Sequence, residues 1–218
     1  NPMAQALASA GLAVLTPTLP GAAGYGRKLA NGLKDAGDEA EASDLAGLVA
    51  ELKKIEGIDK HRIAIVGEGY GGALALLFAG ERLGAVQAIA VVNPITDWNV
   101  EFDNADAERR AWLVKTFGLP AITFSAYAYR TPATFAGLIE APLLLIGTEP
   151  APAGRAEQLD VLAADLRDLT VEFEREVASG ETDWSIGQRI AAFLSDALRA
   201  VVPPADPRID QALAAEAV

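Results

Sequence analysis

The residues with the strongest potential for chemistry lie between positions 63 and 77. A short run rich in β-branched residues ends at Gly67, a glycine-dense turn follows, and a run of helix-forming apolar residues comes after the turn. This order predicts a strand, a tight turn and a helix. In the pattern Gly-x-Ser-x-Gly, such a turn raises a serine hydroxyl above a sheet as a nucleophile. Here Gly69 stands where that serine would be, so the turn carries no nucleophilic side chain.

The composition indicates a globular protein and restricts the kinds of partner that it could bind. With 218 residues, of which 51% are hydrophobic and 22% are charged, the chain is long enough for one globular domain with a buried core. The net charge of −12 argues against nucleic acid and against an anionic membrane surface as partners, because both attract basic proteins. No apolar run approaches the roughly 18 residues that a membrane-spanning helix needs.

Two residue counts restrict the chemistry further. Cysteine is absent and His61 is the only histidine, which excludes disulfides, thiolate chemistry and any metal site built from several histidines. We therefore expect neither a metal nor another cofactor. The first residues lack the basic and long apolar segments of a secretory signal, so a cytoplasmic location is expected.

Helices and strands are predicted to alternate along the chain. The predicted strands are continuous apolar runs at residues 12–15, 62–66, 86–92, 142–146 and 170–173. The predicted helices lie at residues 2–10, 72–81, 156–166 and 184–198, together with a long amphipathic helix that begins at Ser43 and ends before Gly57. Such alternation predicts a parallel sheet that is covered by helices on both faces.

An insertion precedes the strand predicted at residues 142–146. It carries Trp112, Leu113 and Phe117 at helical spacing, and we interpret these side chains as part of the core rather than as a ligand site.

The composition changes after residue 200. Residues 201–218 begin with a proline-rich segment, which predicts a stiff linker. Asp206 as a cap and Pro207 at the first helical position predict a short amphipathic helix from Ile209 to Ala217. This helix could dock on a protein partner or on a second copy of the chain, or it could be a frayed terminus.

Several segments together resemble the catalytic domain of the prolyl oligopeptidase family of serine peptidases. They are residues 1–17, the Gly-Ala-Ala-Gly-Tyr-Gly loop at 21–26, the segment 59–72 around the glycine turn, and Tyr-Arg-Thr-Pro at 129–132 followed by Ala-Pro-Leu-Leu-Leu-Ile-Gly at 141–147. The resemblance covers residues 1–200 and implies an α/β-hydrolase fold with a mostly parallel, doubly wound sheet. It also implies that the family's N-terminal strands are missing, one of which would lie between the strands predicted at 12–15 and 62–66. We therefore expect an upstream segment that supplies this strand, or a sheet that has closed up.

The resemblance also implies a Ser-Asp-His triad, and all three of its positions are substituted. Gly69 stands in place of the serine, Pro150 in place of the acid and Glu181 in place of the histidine. The backbone N–H of Tyr70 would remain as one donor to an oxyanion. The other residues of the turn are Gly67, Glu68, Gly71 and Gly72.

Two functions are compatible with these substitutions. The first is a catalytically inactive hydrolase-like domain that acts as a binding, structural or assembly module. The second is a hydrolase of peptidase or esterase type, with non-standard carboxylate chemistry or with groups supplied by another chain. Glu68, Glu149 and Glu181 are predicted on loops that converge near the turn, where carboxylates could bind Mg²⁺ or Ca²⁺ or act as an acid–base pair. His61 is expected on the surface, at the opposite end of the sheet.

Overall fold

Four parallel strands form the centre of the fold. The structure is a computed structural model that describes residues 1–22, 24–35 and 40–201. The strands are β1 (Ala64–Glu68), β2 (Ala88–Val92), β3 (Leu143–Glu149) and β4 (Phe173–Ser179), and they lie side by side in this order. Each neighbouring pair is parallel, so helical crossovers must connect the strands.

The helices of the described residues lie before, between and after the strands. Four helices precede β1: α1 (Pro2–Ser9), α2 (Arg27–Ala30), α3 (Gly32–Asp35) and α4 (Ala40–Leu52). Helix α5 (Tyr70–Glu81) joins β1 to β2. The connection from β2 to β3 contains α6 (Trp98–Asn104), α7 (Ala107–Phe117), α8 (Phe124–Ala128) and a 3₁₀ helix (Pro132–Leu138). Helix α9 (Arg155–Asp168) joins β3 to β4, and α10 (Asp183–Ala200) follows β4.

The sheet buries apolar side chains on both of its faces. Successive residues of a strand point to opposite sides, so Val91 and Leu145 pack on the face covered by α4, α5 and α9. Ala90 and Ile146 pack on the other face, against α1 and α10. All five side chains of β2 are buried. The predicted parallel sheet with helices on both faces is therefore confirmed.

Helix α1 forms at the predicted place. The side chain of Asn1 accepts a hydrogen bond from the N–H of Ala4 at 3.1 Å, and Pro2 opens the helix. The main packing partner of α1 is α10, and the two helices approach closely at Gly187. A Cβ on Gly187 would lie 2.8 Å from the Cβ of Ala6, so only a residue without a side chain fits there.

The strand predicted at residues 12–15 does not form, and this prediction was wrong. The segment has no ladder partner in the part of the chain that the structure describes, and Val14 and Leu15 are exposed. An apolar run becomes a strand only where a neighbour shares its backbone hydrogen bonds. The expectation of a closed-up sheet, in which residues 12–15 would pair with β1, was also wrong for the described residues, because β1 pairs only with β2 there.

Other boundaries also differ from the predictions. Strand β4 begins at Phe173 instead of residue 170, because the chain is still closing α9 there: Thr170 has a φ of 58°, and the N–H of Val171 donates to the carbonyl of Leu166 at 2.9 Å. Helix α4 begins at Ala40 instead of Ser43. The linker and short helix predicted for 201–218 lie outside the described residues, apart from residue 201.

The close contact between β1 and α5 generates a testable prediction. A Cβ on Gly67 would lie 2.1 Å from the carbonyl oxygen of Gly71, which no real pair of these atoms can tolerate. We expect Gly67→Ala to lower the free energy of unfolding by about 1–3 kcal/mol through overpacking against the backbone. Urea unfolding followed by circular dichroism measures the loss.

Gly71→Ala is the matched control. It adds the same methyl group to the same turn, but nothing lies within 4 Å of the added carbon. We expect a change of about 1 kcal/mol or less, in the stabilising direction, because alanine is the better helix former. Equal losses for the two variants would contradict the packing argument.

Candidate functional site

The glycine turn joins the end of β1 directly to α5, which confirms the predicted strand–turn–helix. Gly69 has a φ of 54° and a ψ of −111°, a conformation that glycine adopts far more readily than residues with side chains. Its N–H donates to the carbonyl of Val92 at 2.9 Å, and its carbonyl accepts from the N–H groups of Ala73 and Ile95 at 3.1 Å each. The turn is therefore held both by α5 and by the segment that follows β2.

The guanidinium of Arg155 lies beside this turn. A Cβ on Gly69 would be 3.7 Å from Nη1 of Arg155, an ordinary van der Waals distance. Arg155 is buried at the first position of α9, and its Nη1 donates to the carbonyl of Asn93 at 2.8 Å. Any side chain that began at position 69 would have a fixed cation as its nearest neighbour in space.

Glu101 on α6 neutralises this cation. Nε and Nη2 of Arg155 donate to the two carboxylate oxygens of Glu101 at 2.9 and 2.8 Å, and Nε of Arg109 donates to the same carboxylate at 3.1 Å. The side chains of Arg155 and Glu101 are only 10% and 7% exposed. Bidentate contacts of this kind are strong, and loss of either partner would leave an uncompensated charge in a dry site.

Asn93 connects the loops that follow β2 and β3. Its Nδ2 donates to the hydroxyl of Thr148 at 2.8 Å, and its Oδ1 accepts from the N–H of Thr148 at 3.0 Å. The hydroxyl of Thr148 donates in turn to the carbonyl of Pro150 at 3.0 Å. Together with Arg155, these contacts join the segments at the carboxyl ends of β1, β2 and β3. In open parallel sheets this edge is where ligands bind.

An aromatic cluster packs against Tyr70, the first residue of α5. The ring centroid of Tyr70 lies 5.4 Å from that of Trp98 and 6.2 Å from that of Trp112, both edge-to-face. Phe117 is buried in the same cluster, which confirms its interpretation as a core residue. Burial raises the pKa of Tyr127, whose hydroxyl donates to a main-chain carbonyl, so this phenol stays protonated at neutral pH.

The other two predicted triad positions lie at the ends of β3 and β4. Pro150 directly follows β3, and its peptide bond with Glu149 is cis. Glu181 follows β4, and its carboxylate accepts a hydrogen bond from Nη2 of Arg189 at 2.5 Å. Proline has no group that can exchange a proton, and Glu181 is already engaged in an ion pair. The assignment of these two residues as former triad positions stays a prediction.

The three carboxylates predicted to converge are not gathered into a cluster. Glu68 ends β1 and is exposed, Glu149 ends β3, and Glu181 lies beyond β4. Strand β2 separates β1 from β3, and neighbouring strands are about 4.8 Å apart. Within residues 1–22, 24–35 and 40–201, no three histidine, aspartate or glutamate residues come close enough to hold a metal ion.

His61 lies three residues before β1, at the end of the strand opposite the turn, as predicted. Arg155, Glu101 and Asn93 were missed, because the contact between Arg155 and Glu101 spans 54 positions of the chain. No sequence signal singled out Glu101, because the same insertion carries other charged residues such as Asp103 and Glu108.

A parallel sheet with helices on both faces, and a strand–turn–helix at the carboxyl end of its first strand, define an α/β-hydrolase fold. Within this class, the chain belongs to the prolyl oligopeptidase family, because the sequence model of that family matches residues 2–181.

Solved structures share the fold at low sequence identity. A puromycin-hydrolyzing peptidase of Mycobacterium tuberculosis superposes with a TM-score of 0.73 and 22% identity over 85% of this chain and 29% of its own. The acylaminoacyl peptidase of Pyrococcus horikoshii gives 0.70 and 22%, over 89% of this chain and 33% of its own. Dipeptidyl peptidase 4 of Porphyromonas gingivalis gives 0.70 and 19%, over 81% and 25%. The chain thus spans a quarter to a third of these proteins.

No curated protein matches the sequence. Among the described helices, none has both the length and the apolar character that crossing a bilayer requires.

The buried ion pair generates a prediction about stability. Glu101→Gln keeps the shape of the side chain but removes the charge that compensates Arg155. We expect the free energy of unfolding to fall by about 3–5 kcal/mol, because the guanidinium would remain buried without a counter-charge. Urea unfolding measures this loss.

Glu51→Gln serves as the control for the loss of a charge as such. It breaks the pair of Glu51 with Lys54, in which the two side chains are 70% and 68% exposed. We expect about 1 kcal/mol or less, since water screens exposed pairs. An equally small loss in the free energy of unfolding for Glu101→Gln would show that the buried pair of Arg155 and Glu101 does not stabilise the site.

Proposed function

We propose that this chain is a catalytically inactive member of the prolyl oligopeptidase family that acts as a binding, structural or assembly module. The observation that carries the proposal is Gly69, which occupies the strand–turn–helix position where a nucleophile would stand. Glycine has no atom that can attack a carbonyl carbon. Enzymes that lose only their nucleophile lose about six orders of magnitude in turnover.

The lack of a general base supports the same proposal. A serine nucleophile needs an imidazole to accept its proton, and the imidazole needs an acid to orient it. His61 is the only histidine of the chain and lies at the opposite end of β1. Pro150 and Glu181, at the ends of β3 and β4, cannot replace the missing pair in these roles.

The groups that surround the turn are used for structure. Nε and Nη2 of Arg155 are engaged with Glu101, and its Nη1 with the carbonyl of Asn93. Because its guanidinium is engaged in this way, Arg155 supports a structural role for the site and not the binding of a substrate.

The alternative is a hydrolase with non-standard carboxylate chemistry, or one that another chain completes. Its carboxylate version has less support, because Glu68, Glu149 and Glu181 lie on separate strand ends and no metal-binding group of three is found among the described residues. Completion by another chain would still require a nucleophile in place of Gly69.

An active-site probe tests the inactive state. We expect a fluorophosphonate probe to leave the wild-type chain unlabelled, because no serine is activated. Gly69→Ser should also stay unlabelled, since the added hydroxyl has no general base. Intact-protein mass spectrometry measures the labelled fraction, with an active serine peptidase of this family as positive control.

The wild-type chain tests the proposed inactive state, and Gly69→Ser tests the assignment of Pro150 and Glu181 as substituted triad positions. Stoichiometric labelling of the wild-type chain would overturn the proposed inactive state. Labelling of Gly69→Ser alone would show that a working base lies near the turn, and it would overturn the assignment of Pro150 and Glu181 as substituted triad positions.

Calorimetry tests the carboxylate alternative. We expect titration with Mg²⁺ or Ca²⁺ to give only heat of dilution, because such cations need several converging oxygen ligands. Saturable heat that disappears in Glu149→Gln would favour a carboxylate site. Glu51→Gln, on the exposed face of α4, is the control for non-specific binding.

A binding role also requires a partner. We expect a protein, either a different polypeptide or a second copy of the chain, and the segment from Ile209 to Ala217 is one candidate contact. The net charge of −12 argues against nucleic acid and an anionic membrane surface as binding partners. A cytoplasmic location stays part of this proposal.

A further inference from the structure

A groove lies between α1 and α10 on the surface of the protein. It has a volume of about 490 Å³. Small side chains line most of its length, and they are Ala6 and Ala10 of α1 and Ala191, Ala192 and Ser195 of α10. The distance between packed helices depends on the side chains at their contact, so short side chains allow another helix to approach closely. The groove therefore has the composition of a helix-packing surface.

One wall of the groove has a regular spacing. Ala191, Ser195 and Arg199 follow one another at intervals of four residues along α10, so they lie on one side of this helix. The residues with which α10 packs on the sheet, such as Ile190 and Leu194, lie on another side. Helix α10 thus covers the sheet with one side and borders the groove with a second.

The sequence contains a segment with a matching spacing. Ile209, Leu213 and Ala217 also follow one another at intervals of four residues, and they form an apolar stripe on the short helix predicted at 209–217. This segment lies outside the described residues, and its helix is a prediction from the sequence. A helix this short is marginal in water unless its apolar side packs on other parts of a protein. The predicted helix therefore needs a surface that covers its stripe.

The chain attaches this segment next to the groove. Helix α10 ends at Ala200, and residues 201–208 connect it to the predicted helix. Pro203, Pro204 and Pro207 prevent the connection from continuing α10, because proline lacks the N–H of a helical hydrogen bond. Connections between helices in bundles have about 2–8 residues. An antiparallel return along α10 is therefore within reach of the segment.

Such a return brings the two spacings into register. Each residue advances an α-helix by about 1.5 Å, so equal steps along two antiparallel helices keep opposite residues level. Suppose that Ile209 lies level with Arg199. Leu213 then lies level with Ser195, and the end of the stripe lies level with Ala191. The stripe would run along the small side chains of the groove, and its first residue would pack on the aliphatic stem of the arginine.

We propose that the segment 209–217 folds back as a helix into the groove between α1 and α10 of its own chain. A short linker gives the attached segment an effective concentration in the millimolar range, which favours it over the same segment of a second copy. This inference goes beyond the proposed binding role. A partner that used the segment as its contact would first have to displace it from the groove.

Disulfide trapping in the full chain tests the proposal. The chain has no cysteine, so an introduced pair can form only one bond within a chain. Ser195→Cys replaces a hydroxyl in the groove with a thiol of similar size, and Ala212→Cys places the second thiol beside the apolar stripe. In a glutathione redox buffer, we expect this pair to close within one chain. Intact-protein mass spectrometry and non-reducing electrophoresis measure the closed fraction over time.

Ser195→Cys combined with Gln211→Cys is the matched control. Gln211 and Ala212 are neighbours in the sequence, so the tether to α10 has nearly the same length. On the predicted helix, however, Gln211 lies opposite Leu213. We expect the control pair to close at least about tenfold more slowly, because thiols that point apart cannot be joined without movement of the backbone.

A second comparison tests the apolar stripe itself. In the chain with Ser195→Cys and Ala212→Cys, we expect Leu213→Asp to slow closure to the rate of the control, because the groove offers a carboxylate less hydration than water does. Ala214→Asp adds the same charge to the same predicted helix but away from the stripe. We expect it to leave the rate of closure unchanged.

Several results would overturn the proposal. They are equal rates of closure for the two cysteine pairs, no closure at all, equal effects of the two aspartate substitutions, or a disulfide that joins two chains and increases with protein concentration. If circular dichroism shows that Ser195→Cys does not fold, amide hydrogen exchange decides. Protection of residues 209–217 that Leu213→Asp removes would support the proposal, and the absence of such protection in the wild-type chain would contradict it. Failure here would leave the inactive state untouched, since that rests on probe labelling.

Discussion

The ion pair between Arg155 and Glu101 fixes the arrangement of the segments around the glycine turn. It joins the first residue of α9 to α6, and through the carbonyl of Asn93 it reaches the end of β2. Two opposite charges can remain in a dry interior only when every donor and lone pair finds a partner. The ion pair therefore helps to position the insertion over the sheet, together with the buried apolar cluster that contains Trp98 and Phe117.

The two glycines of this turn, Gly67 and Gly69, differ in the space that surrounds them. Gly67 is needed because the backbone of α5 lies where its side chain would be. Position 69 has no such restriction on space, since a Cβ there would meet Arg155 at an ordinary contact distance. The space at position 69 would therefore admit a small side chain, although the positive φ there favours glycine.

The turn, α5 and the central strands could be predicted because their signals are local. Glycines mark the turn, and β2 and β3 are apolar over their whole length, as strands buried on both faces must be. Residues 12–15 carry a similar apolar run, yet whether a run becomes a strand depends on a neighbour that lies elsewhere in the sequence. The start of β4 was misplaced for a different reason, since α9 uses Thr170 and Val171 to end its last turn.

The candidate site was harder to predict than the fold. The absence of a serine at Gly69 is visible in the sequence alone. The role of Arg155 is not, because an arginine at the start of an amphipathic helix is ordinarily exposed, and only the three-dimensional structure brings Glu101 to it. Leu113 and Phe117 were predictable as core residues because their helical spacing is kept in α7, where both are buried, whereas Trp112 is only partly buried.

The charged edge of the sheet also limits the size of any assembly. An open-ended polymer of sheets needs two edges on each molecule that accept a strand, so that growth can continue from every newly added unit. Among the described strands, β4 forms one edge, and its Arg175 and Glu176 pair with Asp160 and Arg189, which disfavours the addition of a strand. Growth of an open-ended polymer through this edge is therefore disfavoured.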